Sequence, residues 1–123
     1  MCFMIQSIDK KMNVDDTTYV TIRKIQLMEE KSPLLTKIDR NFYSEMLEHL
    51  ENPDEMPEEE IQTIKRIIDN IYEQREKKIM KAALSKVRGG KPDLKNLLDV
   101  EKNLFDSTLD ILMQSRTRFF NKY

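Results

Sequence analysis

The residues able to do chemistry are few in this chain, and they fall into separate groups. His49 is the only histidine and Cys2 the only cysteine. One histidine cannot supply both the base and its orienting partner, so neither a Ser-His-Asp nor a Cys-His arrangement can be assembled. A single cysteine makes no internal disulfide and no thiolate metal site, and it points to a reducing, intracellular setting. Gly89-Gly90 lacks the spacing of a phosphate-binding loop and reads as a helix stop. No catalytic residue, metal site or cofactor is expected.

Two charged runs remain. Glu45, Glu48, Glu51, Asp54, Glu55, Glu58, Glu59 and Glu60 form an acidic stretch uninterrupted by Lys or Arg. Carboxylates suit hard cations, but the stretch lacks the alternating acids and central glycine of a calcium loop. It reads as a solvated acidic face. Arg75, Lys77, Lys78, Lys81, Lys86, Arg88 and Lys91 face only one acid, Glu76. On a helix, Lys77, Lys81 and Arg88 share one side with Lys78 close by, which would suit weak contact with DNA phosphates. No aromatic residue is interleaved, so base stacking is not indicated. An acidic protein partner, or plain solvation, fits this face better.

Arg75 stands where an apolar stripe passes from Ile71 to Ile79. Either its stem covers apolar surface while its head reaches water, or it is packed and paired. A buried guanidinium offers five donors and stays charged, so it would need a carboxylate or several carbonyls, and an acid from another helix is expected. Glu29, Glu30 and Asp106 are the candidates.

These residues must be positioned by helices. The chain has 123 residues, 35% of them charged, with two glycines and no tryptophan. That is the composition of long helices in one domain with one core. No window approaches the ~20 apolar residues of a membrane span, so the protein is expected to be cytoplasmic. Residues 1–16 show no clear period and read as an N-terminal extension. A first helix is expected from Thr18 to Glu30, with Tyr19, Ile22, Ile25 and Met28 on its apolar side and Pro33 beyond its end. A second should run from Arg40 to Asn52 and bury Phe42, Tyr43, Met46, Leu47 and Leu50, leaving His49 on its polar side. The third should run from Pro57 to Arg88, about 48 Å at ~1.5 Å per residue. It begins with acids that suit a helix N-terminus and ends in basic residues, glycines and Pro92. Such a length is expected to project or to pair with another long helix. The fourth should start near Asn96 or Asp99 and end at Asn121. It carries two adjacent stripes, one through Leu104, Thr108 and Ile111 and one through Phe105, Leu109, Leu112 and Phe119. Two stripes exceed what one core contact needs. Leu104, Phe105, Leu109, Ile111, Leu112 and Phe119 are therefore the candidate subunit interface, and Leu109→Asp or Leu112→Asp would be expected to break it. The fold class is all-α, a bundle of about four helices, two of them long.

Several of these segments, in this order, resemble one known family. Ile22, Arg23, Ile25 and Ser32-Pro33-Leu34-Leu35 lead into Ile38, Asp39, Arg40, Asn41, Phe42 and Tyr43. Ile71, Tyr72, Arg75, Glu76, Lys77, Lys78 and Ile79 follow, then Ala82, Ala83 and Arg88-Gly89-Gly90, then Leu94, Leu97 and a last amphipathic helix. Together they are similar to the helical domain of archaeal GINS subunits, of the type whose helical domain comes first. The resemblance spans about Thr17 to Arg116, and residues 17–123 would form that domain. Leu98-Asp99 departs from the Ser or Thr cap and proline that often open helix four in the family. The family normally adds a small β-rich domain after the helical one; this sequence reaches Tyr123 without it, as a shortened chain or as a subunit lacking that domain.

The resemblance implies a non-enzymatic scaffold in DNA replication. GINS subunits assemble as homo- or hetero-tetramers through helical domains and link the MCM helicase to a RecJ-like partner. The setting implied is cytoplasmic and nucleoid-associated. The competing reading is a helical nucleic-acid-binding protein using Lys77, Lys78, Lys81 and Arg88.

Overall fold

The computed structural model describes residues 6–51 and 57–122. Four helices occupy them: α1 (Gln6–Lys31), α2 (Phe42–Glu51), α3 (Glu58–Val87) and α4 (Asp99–Lys122). No strand occurs among the described residues. Cys2, the expected helix end at Asn52, and Asp54 and Glu55 of the acidic stretch lie outside them.

α1 begins well before the expected Thr18. No glycine or proline interrupts Gln6–Lys31, so the backbone ladder passes through Asp15-Asp16-Thr17 without a stop. Residues 6–16 of the expected N-terminal extension are thus part of α1. Its inward side also differs from the expected one. Ile22 is buried together with Thr18, Gln26 and Glu29, while Tyr19 and Met28 are exposed. In α2, Phe42 and Met46 are buried but Leu47 is exposed, and His49 is partly buried.

α3 is the axis of the molecule. Its 30 residues span about 45 Å at ~1.5 Å per residue. Such a length spreads the apolar groups lengthwise, so in place of one expected core there are two clusters. Ile64, Ile67, Ile68 and Ile71 meet Ile22 of α1 and Phe42 and Met46 of α2. Farther along, Ile79 and Ala83 meet Leu35 of the α1–α2 connector and Phe105 of α4. Arg75 lies between the two.

α3 ends on a glycine stop whose geometry is complete. Gly90 N–H donates to the Ser85 carbonyl at 2.8 Å and Gly89 N–H to the Lys86 carbonyl at 3.0 Å, while Gly89 adopts φ 93°. This is the Schellman arrangement, which satisfies two orphan carbonyls and needs a left-handed residue. Gly89→Ala is therefore expected to cost about 1–2 kcal/mol, read as a lower urea midpoint with unchanged slope. An unchanged midpoint would show that the stop is not held in the native state.

The chain then backtracks along α3 before α4 starts. Asn96 lies beside Arg75, and Leu94 packs with Ala82 in the second cluster. From there α4 runs in the same direction as α3, since Arg75 meets Glu101 and Met80 meets Thr108. α3 is thus covered along much of its length, and it is α4 that projects. From Met113 to Asn121 every α4 residue is exposed.

Candidate functional site: a buried polar hub at Arg75

Arg75 is wholly buried, at 0% exposure. Its guanidinium has five N–H donors, and the structure gives each an acceptor. Nε donates to Glu101 Oε2 at 2.6 Å. Nη1 donates to Glu29 Oε1 at 2.8 Å and to the Thr36 carbonyl at 2.9 Å. Nη2 donates to Glu101 Oε1 at 2.8 Å and to the Asn96 carbonyl at 2.9 Å. One residue of α3 thereby holds α1, the α1–α2 connector, the return loop and α4.

The two carboxylates are as fully engaged as the guanidinium. Glu29 Oε1 accepts from Thr36 Oγ1 at 2.7 Å besides Arg75, and Glu29 Oε2 accepts from Thr36 N–H and Lys78 Nζ. Glu101 Oε2 also accepts from the Tyr43 hydroxyl at 2.9 Å, which brings in α2. Glu101 Oε1 accepts from the Leu98 N–H at 3.0 Å. That last bond is half of a capping box: Glu101 occupies the third helical position and reaches back to the residue before α4. Leu98 has no hydroxyl to return it, so Glu101 alone does this part of the capping. Lys78 spends its three donors on the Glu29 carboxylate, the Glu29 carbonyl and the Leu34 carbonyl.

Two cations meet two anions, and among the described residues no buried side-chain polar atom lacks a partner. That is the condition under which a buried ionic group is tolerated. Burial would push the Glu29 carboxyl up, but hydrogen bonds from Lys78, Thr36 and Arg75 outweigh it and hold the group below the usual carboxylate range. Burial first, then the Glu101 charge and hydrogen bond, push the Tyr43 hydroxyl well above its ordinary value. Arg75, though burial disfavours its charge, is held protonated by Glu101 and Glu29. With its acidic and basic groups bonded to one another, the hub offers structural fixation and no poised acid or base.

Because the folded Glu29 carboxyl titrates below its unfolded value of ~4.3, its stabilisation is present above that pH and is lost as pH falls through the folded value. Glu29→Gln should therefore lower the melting temperature most from neutral pH down to about pH 5, and the gap to wild type should close in stronger acid. A gap that ignored pH would show that the charge of Glu29 carries none of the effect.

The residues singled out from sequence are redistributed. Arg75 meets Glu29 as one of the three candidate acids; Glu30 is exposed, and Asp106 instead pairs with Lys102 of its own helix at 3.1 Å. Glu101, Thr36, Tyr43 and Asn96 were not foreseen. The expected basic face must be corrected at Lys78, whose ammonium is consumed in the hub, whereas Lys77, Lys81 and Arg88 are exposed. The expected interface must be corrected as well. Phe105 is buried in this chain's own second cluster, and Leu104, Leu109 and Leu112 pack partly against it. Ile111 and Phe119 are exposed. Both α4 stripes thus contribute to the inner contact, through Leu104 and through Phe105, Leu109 and Leu112, and each also leaves an exposed member, Ile111 and Phe119. Among the described residues no group of three or more His, Cys, Asp or Glu is placed to hold a metal ion, and no helix is long and apolar enough to cross a membrane.

Residues 19–122 match the GINS complex subunit Psf2/Psf3-like N-terminal domain. The chain belongs to the GINS family. The match runs from within α1 to the last described residue of α4, so the hub lies wholly inside the GINS domain. No curated protein and no solved structure matches the chain. As a GINS domain it is a part of the DNA replication machinery, in a family of non-catalytic complex subunits that assemble with one another.

Proposed function

We propose that this chain is a non-enzymatic scaffold subunit of a replisome complex, formed by one helical domain over residues 17–123 that associates with other GINS subunits in a homo- or hetero-tetramer. In this reading the assembly links the MCM replicative helicase to a RecJ-like partner, in a cytoplasmic, nucleoid-associated setting. The observation that carries it, beside family membership, is the projecting end of α4. Met113 and Phe120 are 52% and 65% exposed there, and Ile111 just before it is 66% exposed. Apolar and aromatic groups of this kind supply the buried core of an obligate interface.

The test is co-expression with the other GINS subunits of the same source, followed by light scattering and helicase and RecJ-like pull-downs. A stable complex of tetramer mass that captures both partners is the expected result. A chain that stays monomeric at micromolar concentration beside those subunits overturns the assembly. A tetramer capturing neither partner overturns the linking role alone. The nucleic-acid reading keeps only Lys77, Lys81 and Arg88, and it would require steeply salt-dependent DNA binding that maps to them.

A further inference from the structure

A second surface lies away from the projecting end of α4. Between the α1–α2 connector and the return loop runs a cleft of about 210 Å³ with Pro33, Leu34, Ala82, Pro92 and Leu94 among its lining. Lys81 stands in this cleft and also borders the shallow depression that continues past Leu84 to Arg88 and Gly90. Along α3 and its capping residue, Lys77, Lys81, Leu84 and Arg88 recur at helical spacing and so form one stripe. All four are exposed.

The walls are fixed from behind. Three successive connector carbonyls are held, Leu34 by Lys78, Leu35 by Asn96 and Thr36 by Arg75. On the opposite side Asp93 accepts the Lys95 N–H at 2.9 Å, so the one acid in the cleft is turned to its own loop. Lys78 is neutralised by Glu29. Lys81 and Arg88 have no ion-pair partner among the described residues. An apolar floor thus adjoins an uncompensated basic rim, with its backbone already ordered.

We propose that this groove docks an acidic peptide segment of another protein, with an aliphatic side chain seated between Leu34 and Leu94 and carboxylates against Lys81 and Arg88. Charge complementarity selects the acid, and the apolar floor selects the anchor. The volume falls below the ~300 Å³ at which small-molecule pockets begin. A duplex would use the cations but not the floor, and a single strand would want aromatic stacking platforms that are absent here. The chain's own acidic run is out of reach. Glu58 begins α3, roughly 35 Å along the helix from Lys81 at ~1.5 Å per residue.

The experiment is an NMR titration of the full chain with a short synthetic Asp/Glu peptide carrying two leucines one helical turn apart. Backbone shifts at Leu34, Ala82, Leu84 and Leu94 are expected, along with loss of binding when the leucines become serines. Lys81→Glu with Arg88→Glu should weaken binding by about tenfold or more, and melting of that variant should match wild type. No shift at ~1 mM peptide overturns the proposal. So does duplex DNA producing the same shifts at lower concentration, which would make this a nucleic-acid face. Concentration-dependent shifts at these residues without peptide would assign the groove to a second copy and also overturn it. None of these outcomes depends on whether α4 assembles.

Discussion

Arg75→Met should lower the unfolding free energy by about 3–5 kcal/mol, the range measured when one partner of a buried ion pair is removed. A domain of this size has only ~5–15 kcal/mol in total, so this variant loses a large share of it. The methionine keeps an apolar stem between Ile71 and Ile79, which are both fully or almost fully buried, so packing is not the main loss. What is lost is the neutralisation of Glu101. Its carboxylate, 4% exposed, would keep the Tyr43 hydroxyl and the Leu98 N–H but face no cation. Glu29 would still have Lys78. Arg75→Met combined with Glu101→Gln removes the stranded charge and keeps an oxygen for the cap. The double variant should therefore be more stable than the sum of the single losses, by about 0.5–3 kcal/mol. Urea melts of the four proteins, compared at equal slopes, measure this coupling. Additive losses would mean that Arg75 and Glu101 are not a working pair. A wild-type midpoint for Arg75→Met would remove the hub from any account of stability.

Phe120→Asp should dissociate the assembly and leave the subunit folded. Large aromatic side chains dominate interface energetics, and truncating a central one costs about 2–4 kcal/mol, roughly 30- to 1000-fold in affinity. Phe120 stacks edge-on with Phe119 at 5.2 Å between ring centres, beyond the last α4 residue packed on α3. Ile111→Asp should act in the same direction from the opposite side of α4, about two and a half turns earlier. Leu109→Asp is the contrast, because Leu109 packs in the second cluster. A charge there damages the subunit itself, and its loss of assembly would come with loss of helicity. Light scattering separates monomer from complex, and circular dichroism at the same concentration separates dissociation from unfolding. If Phe120→Asp and Ile111→Asp both retain full assembly, the projecting end of α4 is not the interface.

The periodicity of apolar residues made α2, α3 and α4 legible, and α3 has strong punctuation besides, Pro57 before it and Gly89-Gly90 after it. It failed at the start of α1, where a polar but unbroken run carries no stripe. It failed also on the inward side of α1. Gln26 and Glu29 are buried there, and a search for apolar spacing discards both. Gln26 bonds Asn70 of α3 at 2.9 Å, and Glu29 enters the hub. Arg75 stood out because it broke a stripe. Glu101 did not, since an acid in a first helical turn is ordinary. Its one available signal was the missing hydroxyl cap at Leu98, which leaves a glutamate three residues on to serve the backbone. Thr36 and Asn96 reach Arg75 through their carbonyls, and main-chain acceptors leave no mark in a sequence. The mixed roles within α4 could not be read at all. Both stripes are apolar and both reach the inner contact, and only the direction of α4 relative to α3, which carries it past the end of α3, decides which members stay uncovered.

The hub also orders events in time. Arg75 and Glu101 are 26 positions apart, and a ribosome adding ~5–20 residues per second takes about 1–5 s to cover that distance. Throughout this interval the guanidinium has no second carboxylate, and water must serve the donors that Glu101 and the Asn96 carbonyl later take. The nascent segment from α1 to α3 therefore stays hydrated at its midpoint, with Ile71 and Ile79 on either side of a wet joint. Release of the last helix closes that joint and completes the second apolar cluster with Phe105, so this domain finishes folding from its C-terminal end.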